Sequence, residues 1–368
     1  PMNDFVHGEP SWRLSHDRVR LWLTIRGGHM APVEFKLGER TVSPYALAPW
    51  SAEEADAALP GLLGVLRGDF LCFPFGGQKD APPHGVSANA EWKVVAGGDN
   101  RLHVGMDDPD SGGWLEKIVS LRDGETAVYC EHRISGVNGR YSYGNHPILD
   151  FAGLGEGEAR IAVSPFRWAS VYPGLFSNPE NREYGALKPA GEFSDLEEVP
   201  LANGGTTDLT RYPARQGFDD LVMMVSERAT PEQPFAWSAV VMDGYVWFSL
   251  KNPADFPATL FWISNGGRHG APWNGSHFGR LGVEEVCSHF SDGVDVSRED
   301  RLAAKGIQTT REFRKDETVS LRIAQAVAAV PAGFGKVVSI RPEGTGKVIL
   351  TGESGASVES VIDWNFVL

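Results

Sequence analysis

The chain predicts an all-β protein, a large antiparallel β-sandwich with few short helices. Three observations carry this. Short runs rich in β-branched and aromatic residues recur along all 368 residues, each bounded by Gly, Pro, Asn or Asp. The 43 glycines and 24 prolines are spread evenly, as tight turns between many strands require. No regular crossover helices separate the strands, which argues for antiparallel sheets packed face to face rather than a parallel sheet.

The strand candidates are Arg20 to Arg26, Ala127 to Ser135, Ala159 to Ser164, Leu221 to Ser226, Thr259 to Ser264, Thr318 to Val330, Lys336 to Arg341 and Lys347 to Thr351. The clearest hairpin joins Phe235–Met242 to Tyr245–Leu250 through Asp243-Gly244, a dipeptide that supplies the positive φ angles of a type I′ turn. Its aromatics should face a core or a neighbouring sheet. The best helix runs from Ala52 to Leu59, because Ser51 and Glu54 form a capping box and Pro60 ends or kinks it. A second short helix is expected after Ser297. Large sandwiches run beyond the usual domain length as one unit, and nothing resembles a linker or a repeat, so residues 1–368 read as a single domain.

With 48 Asp+Glu against 34 Lys+Arg, the formal net charge of −14 repels polyanions, and no basic stripe offsets it, so no nucleic-acid partner is expected. No apolar run reaches the length of a membrane helix and the first residues lack a signal pattern, so no membrane association is expected. Cys72, Cys130 and Cys287 are odd in number, far apart and set among apolar neighbours, which suits buried reduced thiols in a cytoplasmic protein. The oligomeric state is open.

Three distant segments concentrate the polar chemistry: Pro82-Pro83-His84-Gly85, Gly144-Asn145-His146-Pro147 and Leu281-Gly282-Val283-Glu284-Glu285-Val286. Two histidines and a carboxylate make a general acid/base set. His84 also reads as an ordinary loop residue, His146 as part of a structural turn, and Glu284-Glu285 as a solvated pair on a strand edge or short helix. Trp273, Asn274, His277, Arg280 and Glu284, polar and aromatic together, weigh toward a site. His269, His277 and His289 are spaced by eight and twelve, which matches no zinc signature. Asn265 to Gly270 lacks the Lys-Ser/Thr of a phosphate loop, although Arg268 within it suits an acidic or phosphorylated sugar.

These segments resemble the aldose 1-epimerase (galactose mutarotase) family. Phe73-Pro74-Phe75-Gly76, then His84-Gly85, then Trp92 is similar to that family's FP stretch, HG motif and tryptophan. Asn145-His146 resembles its Asn-His motif, Gly217-Phe218-Asp219-Asp220 the segment with its substrate-binding aspartate, and Gly282-Val283-Glu284-Glu285 its closing segment. The order spans roughly residues 20–330. The resemblance implies the galactose mutarotase supersandwich and anomer interconversion of a monosaccharide without cofactor or metal. It implies Glu284 as base, His146 as the acid protonating the ring oxygen, and His84 as a hydrogen-bonding residue that orients the ring. Asp219 would hold a hydroxyl. Asn145 and Arg280 are further substrate-binding candidates, with Trp92 and Trp273 as stacking surfaces. Where the family carries an arginine after the FP stretch this chain has Gly76-Gly77-Gln78-Lys79, and Gln78 is the candidate there. A catalytically silent sugar-binding protein is the alternative on the same fold. A metal-dependent hydrolase or lyase using His84, His146 and Glu284 as ligands is a third reading. Glu285, one residue along an extended segment, faces away from Glu284 and is expected to be a solvated surface charge.

Overall fold

The computed structural model describes residues 2–58 and 61–368. Two large antiparallel sheets make the body. One has nine strands, ordered Arg211–Tyr212, Ala159–Val163, Ala236–Met242, Tyr245–Lys251, Thr318–Ala329, Ala127–Ser135, Gly113–Ser120, Arg101–Asp108 and Lys93–Gly98. The other runs Phe166–Val171, Phe218–Ser226, Ala258–Asn265, Arg280–Cys287, Tyr143–Asn145 and Leu71–Cys72, with Ile148–Asp150 also paired to Arg280–Cys287. A five-stranded sheet spans residues 2–42 and a three-stranded sheet spans residues 337–361.

Alternation along the strands explains the layering. In Thr318–Ala329, Val319, Leu321, Ile323 and Val327 join the core shared by the two large sheets and the five-stranded sheet. Ala324, Ala326 and Ala328 face the other way, where Val337, Ile340, Val348 and Leu350 of the three-stranded sheet cover them. In Arg280–Cys287, Leu281, Val283 and Cys287 enter the shared core, while Val286 faces outward against helix Leu62–Val65 and nearby loops. All eight residues of Arg280–Cys287 are buried, so it is a central strand and not a solvated edge or helix.

The hairpin forms as the sequence predicts, with Met242 opposite Tyr245 and positive φ at Asp243 (48°) and Gly244 (78°). Trp247 faces the shared core, and Trp237 and Phe248 the opposite face. Helix Ala52–Ala58 carries the capping box: Ser51 N–H donates to Glu54 Oε2 (2.9 Å) and Glu54 N–H to Ser51 Oγ (3.1 Å). The expected stop at Leu59 and Pro60 lies outside the described residues. The short helix placed after Ser297 is instead Val294–Ser297; the chain beyond it makes turns and the 3-10 segment Ala303–Lys305. Cys72, Cys130 and Cys287 are free and buried. Among the described residues no helix is long and apolar enough to cross a membrane.

Candidate active site

The outward face of the second large sheet holds a cavity of about 420 Å³. Glu284 rises from its central strand, and Gly282, two residues earlier on the same face, makes the space. A Cβ at Gly282 would stand 2.3 Å from Glu284 Oε1, so a larger residue there would push that carboxyl from its present position. His146 follows Tyr143–Asn145 on the neighbouring strand. Its backbone N–H donates to Asp69 Oδ1 (3.0 Å), and its ring stacks on Phe70 with centroids 4.5 Å apart. Pro147 keeps its backbone extended. The result brings His146 Nε2 to 3.3 Å from Glu284 Oε1.

His84 reaches the same space from a loop. Its backbone is left-handed (φ 62°), and Gly85 follows at φ 79°, where a Cβ would lie 1.8 Å from the Phe73 carbonyl oxygen. His84 Nδ1 accepts the Gly76 N–H at 3.0 Å, which fixes the ring proton of the neutral imidazole on Nε2. Its ring stands perpendicular to that of His146 at 5.1 Å.

Burial governs the titration. Desolvation holds Glu284 well above the usual carboxylate range, opposed only by the charge of Arg268. Desolvation pushes His146 well below 6.5, reinforced by His84, and takes His84 down to about 4. Burial thus favours the neutral form of all three groups, carboxyl over carboxylate and imidazole over imidazolium. Among the described residues no three His, Cys, Asp or Glu side chains converge as metal ligands, so the two histidines and Glu284 do not form a ligand set.

Of the other predicted site residues, only Trp273 lines the cavity. Trp92 is a core residue: it is buried and its Nε1 donates to Ser87 O. Asn145 points to the opposite face from His146, as alternation demands, and donates to Asp69 Oδ2 between the sheets. Arg280 lies at the far end of the strand, spent on the Phe278 and Leu47 carbonyls and on Asp150. Gln78 donates to Pro82 O and stays out of the cavity, although Gly77 and Pro83 line it. Asp219 is sealed behind the wall. Its Oδ1 accepts the N–H groups of Asn265 and Gly267 and its Oδ2 the Ser264 hydroxyl, leaving nothing for a sugar. It backs Arg268, whose Nε lies 3.6 Å from Asp219 Oδ2.

Glu285 requires a larger correction. It does face away from Glu284, but into the interior between the two large sheets, where it is 1% exposed. Lys251 Nζ of the facing sheet lies 2.5 Å from Oε2, Thr259 Oγ1 donates to Oε2 (2.7 Å) and Ser238 Oγ to Oε1 (2.7 Å). The strand has no solvent side, so its second face is a sandwich interior.

Residues that sequence reasoning passed over complete the cavity: Leu62, Leu63, Leu66, Phe176, Glu183 and Trp262. Trp262 stands opposite Gly282 in the register, a pairing that no local pattern announces. Arg268 is present as the suspected anion contact.

Solved structures similar to this one agree on architecture. A galactose mutarotase related enzyme from Lactobacillus acidophilus superposes with a TM-score of 0.56 at 10% identity, covering 88% of this chain and 98% of that one. A protein from Escherichia coli K12 named provisionally as an aldose 1-epimerase gives 0.57 at 13%, covering 87% and 99%. A galactose mutarotase-like protein from Lactobacillus casei gives 0.54 at 10%, covering 86% and 99%. The fold is galactose mutarotase-like. No family model matches the chain, and no curated protein matches it in sequence. At these identities the likeness is one of fold, and the site rests on its own geometry.

Proposed function

We propose that this chain is an aldose 1-epimerase-like isomerase that interconverts the anomers of a monosaccharide or simple derivative by acid/base ring opening. The observation that carries it is the 3.3 Å approach of His146 Nε2 to Glu284 Oε1 on a cavity wall shared with His84. The C1 hydroxyl and the ring oxygen of a pyranose hang on one carbon. An acid and a base serving them must therefore lie on one cavity close to each other, as these two groups do.

In the reaction, one group takes the proton of the C1 hydroxyl while the other protonates the ring oxygen. The C1 to ring-oxygen bond breaks, the open-chain aldehyde rotates about C1–C2, and closure on the other face returns both protons. The forward role of base falls to Glu284 and that of acid to His146. Burial favours the neutral pair in the empty cavity, and the charge of Arg268 together with hydrogen bonds from sugar hydroxyls favours the ionised one. The two forms differ by one proton transfer across their contact. His84, with its proton on Nε2, donates a hydrogen bond that orients the ring. Each acid/base group contributes roughly 10²–10⁴-fold.

Anomeric-exchange NMR across aldohexoses, pentoses, 6-deoxy sugars, sugar acids and sugar phosphates tests the proposal. Exchange above the spontaneous rate that disappears in Glu284→Gln supports it. Tight sugar binding without exchange would favour a silent binding protein.

A further inference from the structure

The cavity also carries information about its substrate, and this inference rests on the acid/base reading above. We propose that the sugar bears an anionic substituent, a carboxylate or a phosphate, received by the Arg268 guanidinium.

Arg268 is the sole Lys or Arg among the lining residues. Three aromatic rings enclose it, with Cζ 4.8 Å from the centroid of Trp273, 5.3 Å from Phe176 and 5.5 Å from Trp262. These contacts hold the guanidinium in place, so little ordering remains to be done when a ligand arrives. Among the described residues its side chain makes no hydrogen bond, and Nε is buried without a partner. Asp219 neutralises part of the charge from behind, at 3.6 Å, but its oxygens already serve Asn265, Gly267 and Ser264.

The acidic residues of the cavity do not supply the missing acceptor. Glu183 is paired with Arg268 through the backbone and makes no ion pair with it, its Oε2 accepting the Asn178 N–H at 3.1 Å. Glu284 makes no ion pair with Arg268; its Oε1 lies 3.3 Å from His146 Nε2, and burial favours its neutral form against the Arg268 charge. Elsewhere the lining is mostly apolar, with Leu62, Leu63, Leu66, Leu221 and Pro83, and Ser291 adds a hydroxyl. A planar cation held by aromatic rings, with its terminal N–H groups free of protein partners and accessible, matches an oxyanion that accepts two parallel hydrogen bonds. A neutral hydroxyl satisfies only one of those donors, and a single guanidinium already partly neutralised by Asp219 suits a monoanionic carboxylate better than a phosphate dianion.

The test compares a hexuronate, the corresponding neutral hexose and the hexose 6-phosphate. Exchange is followed by NMR on the wild type, and binding is titrated separately on Glu284→Gln. One or both charged sugars should exceed the neutral hexose in kcat/KM by about 10- to 100-fold, the range of a charge-assisted hydrogen-bond pair. Arg268→Gln should collapse that ratio toward one, and Arg268→Lys, which keeps the charge but not the fork, should retain part of it. A hexuronate preference identifies the carboxylate as the source, and a phosphate preference the phosphate. Equal use of all three sugars by the wild type overturns the proposal, as does a charged-to-neutral ratio that survives in a folded Arg268→Gln variant. The titration separates the two claims. Arg268-dependent binding of a charged sugar without exchange leaves the anion site standing and removes the epimerase reading, whereas exchange confined to neutral sugars does the reverse. Failure of both charged sugars to bind removes the anion site outright.

Discussion

Glu284 and Glu285 are adjacent carboxylates with opposite expected phenotypes, and replacing each by Gln separates chemistry from stability. Glu285→Gln keeps volume and one acceptor but removes the charge facing Lys251 Nζ at 2.5 Å. Lys251 is 1% exposed, and its other bond is to Thr259 Oγ1 at 2.9 Å. Breaking one side of a buried ion pair costs about 3–5 kcal/mol, because the ammonium is left without a counter-charge in a medium that solvates it poorly. Desolvation already lowers the Lys251 pKa, so release of its proton offers a partial escape and places the expected loss toward the lower end of that range. The Glu284 carboxyl, by contrast, meets His146 in a cavity. Its replacement removes a proton acceptor with no buried cation left behind. Glu284→Gln should therefore unfold near the wild-type denaturant midpoint and lose roughly 10²–10⁴ of its exchange rate. Glu285→Gln should unfold at markedly lower denaturant yet exchange anomers at close to the wild-type rate per folded molecule. The assay is urea unfolding followed by fluorescence, paired with exchange NMR. A Glu285→Gln protein as stable as wild type would refute the buried-pair argument, and a fully active Glu284→Gln protein would refute the base assignment.

Other expectations are briefer. His146→Ala should remove most of the rate, whereas His84→Ala should lower both rate and sugar affinity, read as a kcat against KM split. Because burial depresses His146 and favours its neutral form, the acid limb of the kcat/KM profile should fall below pH 6.5; a limb centred at or above 6.5 contradicts that burial. His84 is depressed to about 4 from 6.5, so between those values the unfolded chain takes a proton that the folded one refuses. Stability should therefore drop as pH falls from 6.5 to 4, and a folded His84→Gln variant should show a shallower drop in urea midpoints. Exhaustive chelation should leave exchange intact, and loss of activity restored by zinc or calcium would point to metal chemistry instead.

Much of this was legible in the residues. Ser51 and Glu54 encode their capping box locally, Asp243-Gly244 its hairpin, and runs rich in β-branched and aromatic residues the strands from Ala127 to Ser135 and Thr318 onward. The motifs around His84, His146 and Glu284 marked the residues that share the cavity, because each carries its own punctuation in glycine or proline. A period of two, however, says only that neighbours face opposite ways. It does not say what covers each face. In Arg280–Cys287 both faces are buried, one by the opposing sheet and one by the cavity wall, so no exposed side distinguished Glu285 from a surface charge. Strand register, set by long-range pairing, placed Trp262 opposite Gly282, and the packing of the two large sheets set Lys251 against Glu285. The same packing sealed Asp219 behind Arg268, turned Asn145 inward and buried Trp92. The sequence determined which side chains have chemistry to offer; the packing of one sheet upon another decided which of them reach a common space.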